Sequence, residues 1–232
     1  MAFNNYGNRF QQTTPIVLNL IIINALVFLA QTLTSGNHEP SAATDLFALH
    51  YYKSTYFQPY QVVTHMFMHG GLSHLLFNML GLWMFGTMVE RLWGPKRFLI
   101  FYFICGLGAA AFQMGSYAFD FWQVDHNVIS PELAELYQAK LRGNATLGAS
   151  GAIMGVLAAF GYLFPNTELF LMFIPIPIKA KWAITGIIAY DLFRGITKSE
   201  GDNVAHFAHI GGALIGFLLV LYWNKKNKQT FY

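Results

Sequence analysis

Residues 204–223, VAHFAHIGGALIGFLLVLYW, decide the fold. A helix needs about 20 mostly apolar residues to cross a bilayer, and this stretch supplies them without one Asp, Glu, Lys or Arg. It also carries His206 and His209 near its start. Burying an ionisable side chain in hydrocarbon costs free energy, so such a residue points to function. Gly212 and Gly216 follow His209 at i+3 and i+7, a face on which a second helix backbone can approach closely.

Working outward, five further segments have span-like length and polarity: roughly 15–34, 72–92, 97–115, 147–164 and 180–196. The whole chain agrees, with 55% hydrophobic and only 11% charged residues and a mean hydropathy of +0.40, values that belong to membrane proteins. No cleavable leader is evident before the first segment, which is expected to be retained. Between the first two spans, Phe47, Tyr51, Tyr52, Tyr56, Phe57 and Tyr60 form an aromatic-rich stretch expected to lie at the membrane interface. Between the third and fourth, Ser130-Pro131-Glu132 reads as a helix start, Leu133, Leu136, Tyr137 and Leu141 recur at helical spacing, and Gly143 can end it. The expected fold is an all-α membrane protein. It comprises a cytoplasmic segment 1–14, a six-transmembrane-helix bundle 15–223 with an interfacial first loop and an amphipathic helix 131–142 on the outer surface in the third loop, and a basic cytoplasmic tail 224–232.

Orientation follows from the basic residues. With both termini inside, the inner segments hold Arg9, Arg91, Lys96, Arg97, Lys179, Lys181, Lys225, Lys226 and Lys228, nine of the 14 in the chain. The expected location is a bacterial plasma (inner) membrane, spanned several times. The net charge of +3 is not gathered into a basic stripe with exposed aromatics, which sets nucleic acid aside as a partner. Membrane lipid is the expected surrounding, and the oligomeric state leaves no mark. The single Cys105 excludes an intrachain disulfide.

Several polar residues converge at one depth. Entered from outside, span two offers His74 and Asn78 at i and i+4, span four offers Gly148-Ala149-Ser150-Gly151, and span six offers His209, all within one to two turns of the outer boundary. Gly148, Gly151 and Gly155 give span four a small-residue face to match that of span six. A hydroxyl becomes a nucleophile when a base takes its proton, and neutral imidazole is the usual base near pH 7. The pair Ser150 and His209 is therefore the candidate nucleophile and base. The Ser150 N–H, the Asn78 amide and a His74 ring nitrogen are candidate donors to the oxyanion. Of the acids in or near the spans, Glu90 lies at the cytoplasmic end of span two. Asp191 is read as low in the register of likely partners, so the expectation is a dyad with no acidic third member.

His65-x3-His69-x4-His74-x3-Asn78, Glu90-Arg91, Gly148-Ala149-Ser150-Gly151 and Ala208-His209-x2-Gly212-x3-Gly216 together resemble the rhomboid intramembrane serine proteases, in order, spacing and span. The resemblance covers about residues 15–223. It implies a six-helix fold with a water-filled cavity open to the outside, a Ser150–His209 dyad, and an oxyanion site of His74, Asn78 and the Ser150 backbone. Its substrates would be transmembrane proteins, cut near the outer end of the segment after a small residue. No cofactor and no metal is implied. Two positions depart from the family pattern: Tyr60-Gln61 stand where Trp-Arg is frequent, and Met154 stands where an aromatic commonly packs on the catalytic histidine ring.

Other readings are a catalytically inactive rhomboid-like protein that binds membrane clients, a transporter, and a metal-dependent membrane hydrolase. The transporter would need paired broken helices in matching halves. The hydrolase would use His65 and His69, at i and i+4, with His74, yet no H-E-x-x-H or paired acids accompany them; capping and tethering of the loop is the plainer role.

Overall fold

Pro15 opens the first helix, α1 (Pro15–Thr34), where its missing N–H leaves no bond unmade. The next two N–H groups, those of Ile16 and Val17, donate to the buried Glu90 carboxylate at 3.0 and 2.8 Å, a cap supplied from far along the chain. The computed structural model describes residues 13–34, 41–127, 131–170, 176–197 and 204–227.

The first loop contains α2 (Ala42–Phe47) and α3 (Gln61–Thr64), which tightens into a 3-10 turn at His65–Phe67. Helix α4 (Leu72–Trp93) follows the expected second span, but its hydrogen bonding widens to π-helical at Leu82–Gly86, an irregularity that hydropathy does not register. Gly94, at φ 82°, ends α4, and Pro95 starts α5 (Pro95–Asn127). At 1.5 Å per residue those 33 residues reach about 50 Å, well past the expected end at 115. Then come α6 (Pro131–Gly143), α7 (Ser150–Leu163), a two-residue antiparallel pair β1 (Glu168–Leu169) and β2 (Ile178–Lys179), α8 (Ala180–Thr197) and α9 (His206–Asn227). Ser130, the expected cap of α6, lies outside the described residues, as does most of the 1–14 segment.

Four helical segments among the described residues are long and apolar enough to cross a membrane: Pro15–Thr34, Leu72–Trp93, Pro95–Trp122 and His206–Lys225. Helix α7 is apolar but only 14 residues long, and α8 carries Lys181, Asp191 and Arg194. Eleven of the 14 residues of α7 are buried, so this is the helix the others surround, with α9 and α5 against it. A helix that is hydrophobic all round belongs in such an interior.

The loops beside the start of α7 interlock. Tyr51, Tyr117, Phe121, Tyr137 and Leu141 form a buried cluster that joins the first loop, the overhanging end of α5 and α6. Of the apolar positions expected on α6, Tyr137 and Leu141 are therefore covered, whereas Leu133 and Leu136 stay exposed. Tyr51 is buried as well, while Tyr52 and Tyr60 are exposed. Arg142 on α6 makes a bidentate ion pair with Asp45 at 2.6 and 2.9 Å, and Leu49 bridges to Thr146. Gln61 does the anchoring inside the loop. Its amide is wholly buried, donates to the carbonyls of Asp45, Leu46 and Tyr56, and accepts from the N–H groups of His50 and Gln58. One neutral side chain thus reaches five loop backbone groups, its two N–H donors shared among three carbonyls.

Candidate active site

The segment entering α7 is held by its backbone. Gly148 donates its N–H to the His65 carbonyl at 2.9 Å and takes φ 130°, a conformation that side-chain-bearing residues rarely adopt. A Cβ there would also come within 2.9 Å of the His74 ring, so glycine is required twice over. The next helical position is Ser150, the first residue of α7, whose N–H has no carbonyl one turn earlier to bond.

Helices α7 and α9 meet glycine to glycine. A Cβ on Gly212 would overlap the Gly151 carbonyl, and one on Gly216 would meet the backbone of Gly155. This close approach carries His209 to Ser150: His209 Nε2 lies 2.7 Å from Ser150 Oγ. Both residues are half-buried, neither sealed nor freely solvated.

The other ring nitrogen of His209 corrects the expectation of a site without an acid. Nδ1 is 3.2 Å from both carboxylate oxygens of Asp191 on α8. Asp191 Oδ1 is also 2.6 Å from Nδ1 of His206, one turn before His209. An ionised carboxylate only accepts, so Nδ1 of His209 carries the proton and Nε2 is left to accept from the serine hydroxyl.

His74 and Asn78 share a face of α4, and the His74 ring lies beside the serine across Gly148. Gly70 donates its N–H to His74 Nδ1 at 3.3 Å, which leaves the proton on Nε2, the nitrogen beside Gly148. Asn78 Nδ2 is buried and has no hydrogen-bond partner among the described residues. An unpaired buried donor costs free energy. The His74 ring and the Ser150 hydroxyl both lie against Gly148, and the unpaired Asn78 amide is one turn further along the face that carries His74.

The histidines of the first loop have other surroundings. His65 Nδ1 bonds the Gln61 carbonyl at 2.9 Å, and burial pushes the His65 pKa down to about 4. His69 comes after the 3-10 turn has ended, so the two do not share a helical face despite their spacing. Its ring stacks edge-on against His74 at 5.1 Å, and burial, then the neighbouring His74, lowers its pKa to about 4. Among the described residues, three His, Cys, Asp or Glu ligand-type atoms come within 4.8 Å of one another only at Asp191, His206 and His209, which already bond to each other. Met154 is buried with Ala158 and Ala213, next to Leu157 and Ile188.

Residues 56–226 match the family model described as the rhomboid domain. The chain is 29% identical over 216 residues to RHOMBOID-like protein 12, mitochondrial, of Arabidopsis thaliana, covering 93% of this chain and 60% of that one. It is 32% identical over 161 residues to rhomboid protease GluP of Bacillus subtilis, covering 68% of this chain and 25% of the relative. With rhomboid protease AarA of Providencia stuartii it shares 33% over 173 residues, 66% of this chain and 52% of the other. The chain thus spans from a quarter to three fifths of the length of these relatives. Because a mitochondrial protein stands among them, they give the expected bacterial plasma membrane no support; the helices and the family establish an integral membrane protein. With the family model matching most of its length, the chain belongs to the rhomboid family.

Proposed function

We propose that this protein is an intramembrane serine endopeptidase that hydrolyses peptide bonds near the outer end of substrate transmembrane segments. The observation that carries the reading is the 2.7 Å contact between Ser150 Oγ and His209 Nε2, made by two helices in glycine contact. Six spans follow if α7 and α8 complete the bundle with the four longer apolar helices. At about 21 Å, α7 is shorter than the ~30 Å hydrocarbon layer, so its serine sits below one face of the membrane.

In this mechanism His209 Nε2 takes the hydroxyl proton as Ser150 Oγ attacks the scissile carbonyl carbon. The carbonyl oxygen becomes an oxyanion, which accepts from the Ser150 N–H, His74 Nε2–H and Asn78 Nδ2–H. The positive end of α7 reinforces them. Collapse expels the amine, which leaves with the proton from the imidazolium, and an acyl group remains on Ser150. Water, deprotonated by the same imidazole, then releases the acid. A substrate helix must unwind first, because its carbonyls are engaged in internal hydrogen bonds. Glycine or proline near the outer end of a poor substrate therefore speeds cleavage.

The test is a fluorophosphonate probe on purified protein, followed by mapping of the labelled residue. Labelling at Ser150, absent in Ser150→Ala, and loss of cleavage of a transmembrane substrate in that variant are expected. His209→Ala fails comparably, and the double variant is hardly worse, because the two act as a unit. Captured but uncleaved membrane clients, with no labelling of Ser150, sink the protease reading in favour of a client-binding role.

A further inference from the structure

We propose that Asp191, held in place by His206, is a positioning carboxylate that orients and charges the catalytic base, so that the reaction runs on a Ser150–His209–Asp191 relay with a second imidazole behind it. The inference rests on the protease reading above and adds two residues to it. Three elements contribute: Ser150 from α7, Asp191 from α8, and both histidines from one turn of α9.

The two bonds to the carboxylate differ in kind. His206 Nδ1 reaches a single oxygen at 2.6 Å, while His209 Nδ1 is shared between both oxygens at 3.2 Å. A carboxylate has room for both, with about four acceptor sites. The short bond fixes where Asp191 points; the shared one keeps His209 in the Nδ1–H tautomer while the ring tilts between serine and leaving amine. The rings of His206 and His209 stand at 82°, centroids 6.3 Å apart, so they reach the carboxylate from different directions. Asp191 and His206 are both buried, with side-chain exposures of 10% and 9%. A carboxylate so enclosed is costly unless it is paired and hydrogen-bonded. Here its partners are the base of the reaction and that base's neighbour. When Ser150 gives up its proton, the imidazolium forms against a fixed negative charge.

Among the described residues, Asp191 from α8, His206 on its own helix and His74 from α4 face His209; on α5, Gly108 and Phe112 pack on Gly211, and Asp120 lines a cavity with Phe207. Of these, Asp191 is the carboxylate hydrogen-bonded to the ring, so its charge favours the imidazolium and its removal takes that support away.

The experiment measures Ser150-directed fluorophosphonate labelling and transmembrane-substrate cleavage against pH, for wild type and Asp191→Asn. Expected are a kcat lower by about 10²–10⁴-fold, KM nearly unchanged, and an acidic limb displaced to lower pH. A second pair covers a variant that does not fold: His206→Asn, which keeps an N–H for the carboxylate, stays within about threefold of wild type, and His206→Leu loses tenfold or more in kcat. Asp191→Asn within threefold of wild type on an unmoved limb, or equal losses for both His206 variants, overturns the role while Ser150 still labels. Wild type that never labels at Ser150 removes the protease reading and this role with it.

Discussion

Gly212 lies against Gly151 so closely that a single added methyl would occupy the space of the Gly151 carbonyl oxygen. That contact sets the spacing of α7 and α9, and Ser150 and His209 are one and three residues from it. Gly212→Ala should therefore push the helices apart and break the Ser150–His209 bond. Overpacking of this kind costs about 1–3 kcal/mol. The labelling rate should fall by a larger factor than the loss of folded protein explains. Gly186→Ala, where nothing lies within 4 Å, should leave both measurements unchanged.

Asn78 and His74 separate an oxyanion site from a metal site. Asn78→Ala should lower the cleavage rate about 10²–10³-fold, the usual consequence of losing one oxyanion donor, with little change in substrate binding. His74→Ala should exceed His65→Ala and His69→Ala in its effect on the catalytic rate. Activity should survive a chelator. Inactivation by EDTA that zinc reverses, with the three histidine variants equally impaired, would contradict the assignment.

Gln61 hydrogen-bonds five backbone groups of the first loop, two N–H donors being shared among three carbonyls, and that loop holds Gly148 through the His65 carbonyl. Gln61→Leu leaves those groups buried and unpaired, at about 1–3 kcal/mol for each group that finds no water. The expected result is a clear drop in the thermal midpoint in detergent, larger than that of Tyr60→Ala, whose ring is exposed. Equal midpoints would show that the loop is anchored elsewhere.

His65 makes the loop sensitive to acid. Burial lowers its pKa from 6.5 to about 4, so the unfolded chain binds a proton that the folded one refuses over that interval. Stability is full above about pH 6.5 and is lost as pH falls towards 4, by on the order of 3 kcal/mol from this residue. Denaturation in detergent between pH 7 and 4.5 should reveal the slope, and His65→Gln should flatten it. His69 acts in the same direction, so some slope should persist in the variant.

The level that Ser150, His209 and His74 share is legible because each can be counted from the end of an apolar run, and a helix turns residue number into depth at 1.5 Å per step. The same count reaches Asp191. It lies within two turns of the end of α8, and His209 lies within one turn of the start of α9, so antiparallel neighbours bring them level. Reading Asp191 as low in the register missed this, although the up-and-down order already implied it. The bulge at Leu82–Gly86 and the reach of α5 to Asn127 left no such trace, because hydropathy records polarity and not the hydrogen-bond register of a helix or the point where it ends beyond the lipid.

By itself the sequence determined that the chain is a helical membrane protein with a serine and a histidine at one depth on glycine-lined faces, since length, polarity and helical period are properties of the chain alone. Only the tertiary structure decided which atoms meet. Hydrogen bonds act over fractions of an ångström, and the angles of three helices put Nε2 of His209 on Ser150, its Nδ1 on Asp191, and His206 on the same carboxylate. The anchoring of the first loop by Gln61 belongs to the same class, because an amide that bonds five backbone groups is recognisable only once the loop has closed around it.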